Sequence, residues 1–372
     1  MSVTTNKDGS VVVETETLFN LIAAIFDQGG CIREESEHIA THLIDANLTG
    51  HDSHGVIRAR RYVEWIGDRV FPGRHIETLS ETDVTALIDG CFGFGQTVGL
   101  EAVRLGMKKA QKSGLSMIAL QNAGHLGRIG AWAEMAAEEN LVSIHFVNVR
   151  ASLLMAPFGG IDRRISTAPL AIGIPQADGD DPIILDFSTA IAAEGKALVA
   201  HKGGKALPAE ALIGADGKRT NDPTMLYGEP VPGKAPNPMN GPGALRTMGD
   251  HKGSGLAFMC EIMGGALTGA GCAGPLPRPY ANGMTSIYVK PDVFQSMDAF
   301  FGEVKSYAEF FRSSRPEDGV EKVLIPGDKE RMTREGRLAN GIPFPADTWA
   351  SILDAGTYVG LDDAVAQKII AD

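Results

Sequence analysis

The hydrophobic pattern of the chain changes near residue 83, and this change limits the possible folds more than any other feature. From about residue 14 to residue 67, apolar residues have helical spacing in the segments ETLFNLIAAIFDQG, REESEHIATHLIDANLTG and SHGVIRARRYVEWI. After residue 83, short apolar runs typical of strands, such as VTALIDG, LSMIALQN and LVSIHFVNV, alternate with helical segments. A terminal helix, ADTWASILDAGTYVGL, is predicted near the end of the chain. The sequence therefore predicts a mixed α/β centre between helical ends.

The length of the chain, 372 residues, suits about two domains better than one compact core. We predict a helical domain built from both chain ends, residues 1–80 and 310–372, and a central domain formed by residues 81–309. Residues 203–248 are rich in Gly, Pro and Asn and are predicted to form a loop-rich excursion from the central domain. The predicted fold class is therefore α/β, of the α+β type.

The net charge of −12 makes two classes of partner improbable. An acidic surface repels nucleic acid and anionic lipid, so we expect neither a nucleic-acid-binding nor a membrane-binding protein. An anionic small molecule would have to bind at a local cluster of basic residues that opposes the overall field.

Three features bear on the compartment. The chain has four cysteines without CxxC spacing, which does not suggest a disulfide framework: Cys31, Cys91, Cys260 and Cys272. The N-terminus, MSVTTNKDGS, lacks the apolar core of a signal peptide. The most apolar stretch, residues 256–276, contains Glu261, glycines and a proline, so we expect a buried helix and not a membrane span. We predict a cytoplasmic protein.

The segment GHDSHGVIRARRYVEWI gives the strongest indication of chemistry. On a helix that starts near Ser53, three basic residues are spaced four and three apart and share one face: His54, Arg58 and Arg61. Apolar residues share the opposite face: Val56, Ala59, Val63 and Ile66. Histidine titrates near neutrality and can donate or accept a proton, and a guanidinium binds a carboxylate through two parallel hydrogen bonds. Such a set suits the reduction of a 2-oxo acid, although a solvated basic helix face has the same pattern.

The same segment contains an HxxH pattern formed by His51 and His54. Zinc hydrolases of the HExxH type hold the metal with histidines four residues apart and use the Glu as a base. Here the spacing is three and the Glu is missing, so we predict no metal site. A metal-dependent hydrolase is the alternative from another class of enzyme.

Three other segments could contact a phosphate or a ribose. QNAGHLGRIGAWAEMAA places His125 and Gly127 between a strand and a helix, where a helix N-terminus or an ordinary turn is expected. GDHKGSG places His251 and Lys252 at the start of a helix. PIILDFS ends an apolar strand with Asp186, which is typical both of a ribose hydroxyl partner and of a helix cap.

The segment DGCFGFGQTVG imitates a dinucleotide-binding fingerprint. Gly93, Gly95 and Gly99 lie between a predicted strand and a predicted helix, but their spacing is GxGxxxG. No acidic residue ends a following strand in a convincing βαβ unit, as the fingerprint requires. We therefore assign no cofactor to these glycines.

Taken in order along nearly the whole chain, these segments resemble the malate/L-lactate dehydrogenase type-2 family. The resemblance rests on ANLTGHDSHGVIR, NAGHLGRIGAWAEMAA, VSIHFVNV, MAPFGG, STAPLAIGIP, ILDFSTAIAAEGK, HKGSGLAFMCEIMGGALTGA and IPGDKE. It implies a non-Rossmann NAD(P)-binding domain with a mixed, largely antiparallel sheet. It also implies a homodimer with active sites near the subunit interface, and hydride transfer between NAD(P)H and a 2-oxo or 2-hydroxy carboxylic acid.

The resemblance also implies roles for single residues. His54 would be the proton donor, with Ser53 beside it, Arg58 on the substrate carboxylate, His125 as a substrate-binding or acid–base residue and Thr167 as a substrate contact. Together with the local indication for Lys252, the expected cofactor-binding residues are Gly127, Ile184, Leu185, Asp186, His251, Lys252, Asn282, Gly327, Asp328, Lys329 and Glu330. This chain has TAP where many members have TNP, and Ser254 where many have a Tyr.

Several alternatives stay open at this point. A cyclic imine carboxylate reductase could use the same histidine and arginine, and a non-catalytic binding protein could keep the same fold. We expect NAD, with NADP possible, because Asp186 would repel a 2′-phosphate if it lay at the adenosine ribose.

Overall fold

The computed structural model describes residues 2–177, 179–201, 206–231, 236–274 and 278–371. The α-helices within these ranges are α1 Thr15–Gln28, α2 Arg33–Leu48, α3 Ala59–Trp65, α4 Gly95–Ser113, α5 Gly130–Glu138, α6 Glu194–His201, α7 Thr224–Tyr227, α8 His251–Glu261, α9 Met297–Arg312, α10 Asp328–Asn340, α11 Ala346–Tyr358 and α12 Asp363–Ala371. The strands are β1 Val3–Thr5, β2 Val11–Val13, β3 Glu77–Glu81, β4 Thr85–Asp89, β5 Leu115–Ala123, β6 Val142–Arg150, β7 Leu170–Ile174, β8 Ile183–Phe187, β9 Leu212–Ile213, β10 Arg219–Thr220, β11 Ala244–Leu245, β12 Ala281–Val289 and β13 Ile342–Phe344.

A seven-stranded sheet forms the centre of the protein, in the order β3-β4-β5-β12-β6-β7-β8. Every neighbouring pair is antiparallel except β4 and β5, which run parallel and are joined by α4. The predicted mixed, largely antiparallel sheet is therefore confirmed. The strands at its centre are rich in β-branched and aromatic residues, as in TSIYV of β12, and the described residues of β12 are almost all buried.

The glycines that imitate a dinucleotide fingerprint lie in the turn from β4 into α4. This turn belongs to the one strand–helix–parallel-strand unit of the sheet, which the sequence did not predict. A Cβ atom at Gly95 would collide with the backbone of His125, and one at Gly99 would lie 2.9 Å from Leu126. The glycines therefore allow α4 to pack closely against the end of β5.

Helices from both ends of the chain share one hydrophobic core. It combines Leu18, Phe26 and Leu43 of α1 and α2 with Ile342 and Ile352 of β13 and α11. The short strand β13 also pairs with β2, so a three-stranded sheet, β1-β2-β13, joins the two chain ends. These strands are too short to show a periodicity in the sequence, and they were not predicted. The division into two domains at residues 80 and 310 stays a prediction.

The single helix predicted from Ser53 is wrong. Two 3₁₀ turns, Asp52–His54 and Val56–Arg58, precede α3, and Gly55 between them is extended. The side-chain oxygen of Asn47 accepts a hydrogen bond from the Val56 N–H at 2.8 Å, and a Cβ atom at residue 55 would collide with it. The interruption turns His54 out of the helix, while Val56, Ala59 and Val63 are buried as expected.

Three further expectations need correction. The apolar stretch that begins at residue 256 is not fully buried, because α8 and the π-helical turn Ile262–Ala266 expose Phe258 at 62% and Met259 at 48%. The segment GDKE leads into a helix that the sequence did not predict, α10, whose thirteen residues are too polar to show an apolar stripe. The predicted terminal helix is α11, and α12 follows it.

The predicted loop-rich excursion contains only short elements, namely α7 and the strands β9 to β11. Its residues 203–205 and 232–235 lie outside the described residues. Leu276 of the apolar stretch is likewise outside them. Within the described part of the chain, no helix combines the length and the apolar character needed to cross a membrane.

A buried guanidinium connects three helices around the loop that follows β5. The Arg128 side chain is 1% exposed, and its Nη2 lies 2.7 Å from Asp45 of α2 and 2.5 Å from Glu134 of α5. Asp45 also accepts a hydrogen bond from Arg334 of α10 at 2.5 Å. Because both carboxylates would be left without their main partner if Arg128 were neutral, this network fixes the loop between β5 and α5.

We expect Arg128→Met to lower the free energy of unfolding by about 3 kcal/mol, because it keeps most of the side-chain volume but leaves two carboxylates poorly compensated. The control is Arg164→Met, which removes an exposed ion pair with Asp162 and should cost less than about 1 kcal/mol. Denaturant-induced unfolding of both variants measures the difference. Equal losses in the two variants would contradict a structural role of the Arg128 network.

Candidate active site

Two histidines from distant parts of the sequence lie face to face. His54 comes from the 3₁₀ turn after α2 and His125 from the loop after β5, and their rings are parallel within 6° with centroids 5.6 Å apart. Both rings are partly buried. Burial, followed by the nearby Arg58, lowers the pKa of His54 to about 3 and also lowers the pKa of His125 well below its usual range. Both rings are therefore neutral at pH 7, and each can hold one proton and accept another.

Tyr62 and Gln96 fix the orientation of His125. The Tyr62 hydroxyl lies 2.5 Å from His125 Nδ1, and Gln96 Nε2 donates to the Tyr62 oxygen at 3.4 Å and to the His125 carbonyl at 3.0 Å. Burial raises the pKa of Tyr62, so its hydroxyl stays protonated. Because the Tyr62 oxygen accepts from Gln96, its own proton is directed to Nδ1 of His125. This network assigns the proton of His125 to Nε2.

Arg58 lies beside this pair and is held by its own turn. Its Nε donates to the Ser53 carbonyl at 2.6 Å, and its Nη2 is 3.8 Å from Glu194 of α6. Glu194 accepts a hydrogen bond from Tyr227 at 2.5 Å. Within the described contacts, the Nη groups of Arg58 form no closer ion pair, so they can bind a carboxylate.

Ser53 lies between Arg58 and α6. Its hydroxyl is 3.5 Å from His54 Nδ1, at the limit of a hydrogen bond. A Cβ atom at Gly195 would lie 2.7 Å from the Ser53 Cβ, so α6 packs directly on the turn that carries His54.

Three backbone N–H groups of the loop after β5 donate hydrogen bonds to side chains from other parts of the protein. The N–H groups of Leu126, Arg128 and Gly130 donate to Asn282 Oδ1 at 2.9 Å, His42 Nε2 at 3.0 Å and Asp186 Oδ2 at 2.8 Å. Asp186 is therefore a cap of α5, one of its two expected roles. Gly127 has a φ of +72°, and a Cβ atom there would collide with His42, so only glycine fits closely at this position.

A cleft of about 580 Å³ opens between α2, α4, α5 and α10. It is lined by three of the expected cofactor residues, Ile184, Gly327 and Glu330. Three buried polar atoms of the residues that line it have no hydrogen-bond partner: His38 Nδ1, Gln96 Oε1 and Trp132 Nε1. Unpartnered buried polar atoms are costly, so they indicate a polar ligand or ordered water in the cleft.

The cleft and the histidine pair are neighbours. Glu330 of the cleft lies 3.4 Å from His51, three residues before His54, and Arg337 of α10 lies 2.5 Å from Asp52. Gln96 also connects the two regions, because it lines the cleft and bonds to His125.

A model of the malate/L-lactate dehydrogenase family matches residues 13–353 of the chain. Hydroxycarboxylate dehydrogenase B of Escherichia coli K12 is 37% identical over 360 residues, which cover 95% of this chain and 96% of that protein. L-sulfolactate dehydrogenase of Methanocaldococcus jannaschii is 30% identical over 359 residues, covering 95% and 98%. The solved structure of malate dehydrogenase from Pyrococcus horikoshii has a TM-score of 0.84 at 28% identity, covering 96% of this chain and 98% of that one.

The chain belongs to the malate/L-lactate dehydrogenase family. This confirms the resemblance found in the sequence and the expected class of enzyme, an oxidoreductase of 2-hydroxy acids. Family membership also implies a nicotinamide cofactor. The cleft fits such a group, because it combines an adequate volume with polar atoms that lack partners.

The remaining expected site residues are more scattered. His251 and Lys252 open α8 and are exposed, with the His251 ring against Phe158 at 5.9 Å. Asp328 binds Arg312 at 2.6 Å, and Lys329 is exposed. Leu185 lies on β8, and the carbonyl of Thr167 accepts the N–H of Thr189 at 3.1 Å.

The metal-hydrolase alternative is not favoured. Among the described residues, no group of three or more His, Cys, Asp or Glu side chains could hold a metal ion. His51, one of the two HxxH histidines, faces Glu330.

Sequence reasoning missed Tyr62, Gln96 and Glu194. Tyr62 follows Arg58 by four residues, a spacing that is compatible with the same site. However, an aromatic residue among apolar residues of a helix is typical of the hydrophobic core. Gln96 lies within the glycine segment to which no ligand was assigned. Glu194 contacts Arg58 only through the tertiary fold, so no local pattern indicates it.

Proposed function

We propose that this 2-hydroxyacid dehydrogenase uses His54 as its proton donor in the reducing direction and as its base in the oxidising direction. The observation that carries the proposal is the parallel His54–His125 pair beside an arginine whose Nη groups can donate to a carboxylate. A nicotinamide cofactor held in the cleft would supply the hydride in reduction and accept it in oxidation.

The residues of the chain then have separate tasks. Arg58 binds the substrate carboxylate and orients the adjacent carbonyl. His125, with its proton on Nε2, donates a hydrogen bond to the carbonyl oxygen. His54 transfers the proton to that oxygen in reduction and removes it in oxidation. The carboxylate weakens the field of Arg58 at both rings, which favours the protonated form of His54 when it is needed. Ser53 supports His54, and Thr167 is a proposed substrate contact.

We propose that the cofactor is NAD. Most cations of the cleft are already paired, since Arg331 lies 3.4 Å from Asp181 and Arg334 lies 2.5 Å from Asp45. Arg104 is the exception among the described lining residues. Carboxylates of Glu138 and Glu330 also line the cleft, and they would repel a 2′-phosphate.

The residues proposed to contact the cofactor are those expected from the sequence. Ile184, Gly327 and Glu330 line the cleft. The other proposed contacts are Gly127, Leu185, Asp186, His251, Lys252, Asn282, Asp328 and Lys329.

We propose a cytoplasmic homodimer. Its support is the set of large apolar side chains exposed on α8 and α9, including Phe258 at 62% and Phe310 at 74%. All four cysteines are free, which fits a reducing compartment.

The proposed reaction is tested with purified protein, a panel of 2-oxo acids, and either NADH or NADPH, followed by the absorbance of the reduced nicotinamide. We expect turnover with at least one 2-oxo acid and a higher kcat/KM with NADH. Turnover of a cyclic imine carboxylate in place of every 2-oxo acid would contradict the proposed substrate class. A preference for NADPH would contradict the cofactor assignment alone.

Arg58→Ala should lower kcat/KM for a 2-oxo acid by about 100-fold, mainly through KM, because it removes the carboxylate contact. Arg61→Ala is the matched control, since Arg61 is exposed on α3, directly after the turn that carries Arg58, and forms no ion pair within the described residues. Its kinetics should stay within about 2-fold of the wild type. Steady-state kinetics of both variants measures the contrast, and a similar loss in both would refute the specific role of Arg58.

A further inference from the structure

The loop-rich excursion, residues 203–248, reaches the candidate active site through Tyr227 of α7. The Tyr227 side chain is 3% exposed, and its hydroxyl donates to Glu194 Oε1 of α6 at 2.5 Å, with the Glu194 carbonyl as a second acceptor at 3.2 Å. The other carboxylate oxygen, Glu194 Oε2, lies 3.8 Å from Arg58 Nη2. A chain of three side chains therefore connects the excursion to the arginine proposed to bind the substrate carboxylate.

The Tyr227 hydroxyl is the donor in its bond to Glu194. Burial and the charge of Glu194 raise the pKa of Tyr227, so the hydroxyl keeps its proton at pH 7. The bond length of 2.5 Å is typical of a hydroxyl that donates to a carboxylate. One oxygen of Glu194 is thus held toward α7, while the other lies farther from Arg58 than the roughly 2.8 Å of a direct charged hydrogen bond.

Arg163, which follows β6 in the sequence, fixes the position of α7. Its guanidinium donates to four backbone carbonyls of the excursion: Leu226 at 3.2 Å, Pro238 at 2.5 Å, Gly241 at 2.9 Å and Gly243 at 2.6 Å. Tyr227 also belongs to a buried apolar cluster that includes Ala197 of α6. The hydroxyl of Tyr227 therefore has a fixed place relative to α6 and its carboxylate.

The backbone of α6 is fixed relative to Arg58 as well. Arg58 Nε donates to the Ser53 carbonyl at 2.6 Å, and a Cβ atom at Gly195 would lie 2.7 Å from the Ser53 Cβ. A movement of the Glu194 carboxylate by about 1 Å would suffice to form a direct ion pair with Arg58. The two side chains are only 17% and 19% exposed, so water screens their attraction less than that of a surface pair. The hydrogen bond from Tyr227 opposes this movement.

We propose that Tyr227 and Glu194 are positioning residues that set how strongly Arg58 binds the substrate carboxylate. The proposal rests on the function proposed above, in which Arg58 binds that carboxylate. The Tyr227 hydroxyl holds Glu194 short of a direct ion pair, so the Nη groups of Arg58 stay available to the substrate. Glu194 still offsets part of the charge of Arg58, which weakens the binding of both the 2-oxo acid and the 2-hydroxy acid.

The first variant, Tyr227→Phe, removes the hydroxyl and keeps the ring, which is stacked on His201 at 4.9 Å. Glu194 then loses its hydrogen bond and competes with the substrate for Arg58. KM for the 2-oxo acid should rise about 10-fold, while kcat should change less than about 3-fold. The matched control is Tyr288→Phe, because Tyr288 is a comparably buried tyrosine on β12 that has no place in the mechanism. Its KM and kcat should stay within about 2-fold of the wild type.

The second variant, Glu194→Gln, tests the sign of the effect. Glutamine still accepts the hydrogen bond of Tyr227 but carries no charge, so KM should fall about 2- to 5-fold. In the double variant Tyr227→Phe/Glu194→Gln, KM should lie within about 3-fold of that of Glu194→Gln, because no carboxylate is left to compete with the substrate. The inhibition constant of oxamate, which carries the same carboxylate but is not reduced, should change in parallel with KM in every variant.

A purely structural role of the two residues gives different results. It predicts a KM above the wild-type value in Glu194→Gln, and a rise of KM in Tyr227→Phe that Glu194→Gln does not remove. Either result, or an unchanged KM in Tyr227→Phe, would overturn the proposal while the proposed reaction stands. The result for Glu194→Gln decides even if Tyr227→Phe does not fold. If the wild type reduces no 2-oxo acid, the proposed function itself fails and this proposal fails with it.

Discussion

The buried guanidinium of Arg128 determines how the parts of this active site meet. It compensates Asp45 of α2 and Glu134 of α5, while the backbone N–H of Arg128 donates to Nε2 of His42. The loop between β5 and α5 therefore has one position relative to α2, and His125 at the start of that loop faces His54 just beyond the end of α2. Arg334 extends the same network to α10, which brings Glu330 against His51. The histidine pair and the cleft proposed for the cofactor are thus positioned by one set of ion pairs.

The arginines of the protein differ in whether a carboxylate compensates their charge. Most cations around the cleft have carboxylate partners, which agrees with a cofactor site without an extra phosphate. Arg58 has only a distant partner, Glu194 at 3.8 Å. In an acidic protein, a guanidinium with so little compensation can bind an anion. The positive charge of Arg58 does not repel the two neighbouring histidines, because both imidazole rings are neutral.

Much of the fold and part of the site could be predicted from the sequence. The long strands and helices have clear periodicity, and the ordered motifs identify the family, the His54–Arg58 segment and the start of α10 as sites of interest. The sequence failed where tertiary contacts override local patterns. Asn47 breaks the helix expected from Ser53, and Tyr62 reaches His125 across 63 residues. The strands β1, β2 and β13 are too short for any periodicity, and α10 is too polar for an apolar stripe.

The most direct measurement is kcat/KM for oxidation of a 2-hydroxy acid as a function of pH, in the wild type and in His54→Asn. Because burial and Arg58 lower the pKa of His54 from 6.5 to about 3, its neutral, proton-accepting form persists as the pH falls through 6.5. The wild-type value should therefore not decline through this range, and His54→Asn should lose about 100-fold or more at every pH. A His54→Asn enzyme with nearly wild-type turnover would contradict the assignment of His54 and make His125 the proton-transferring residue.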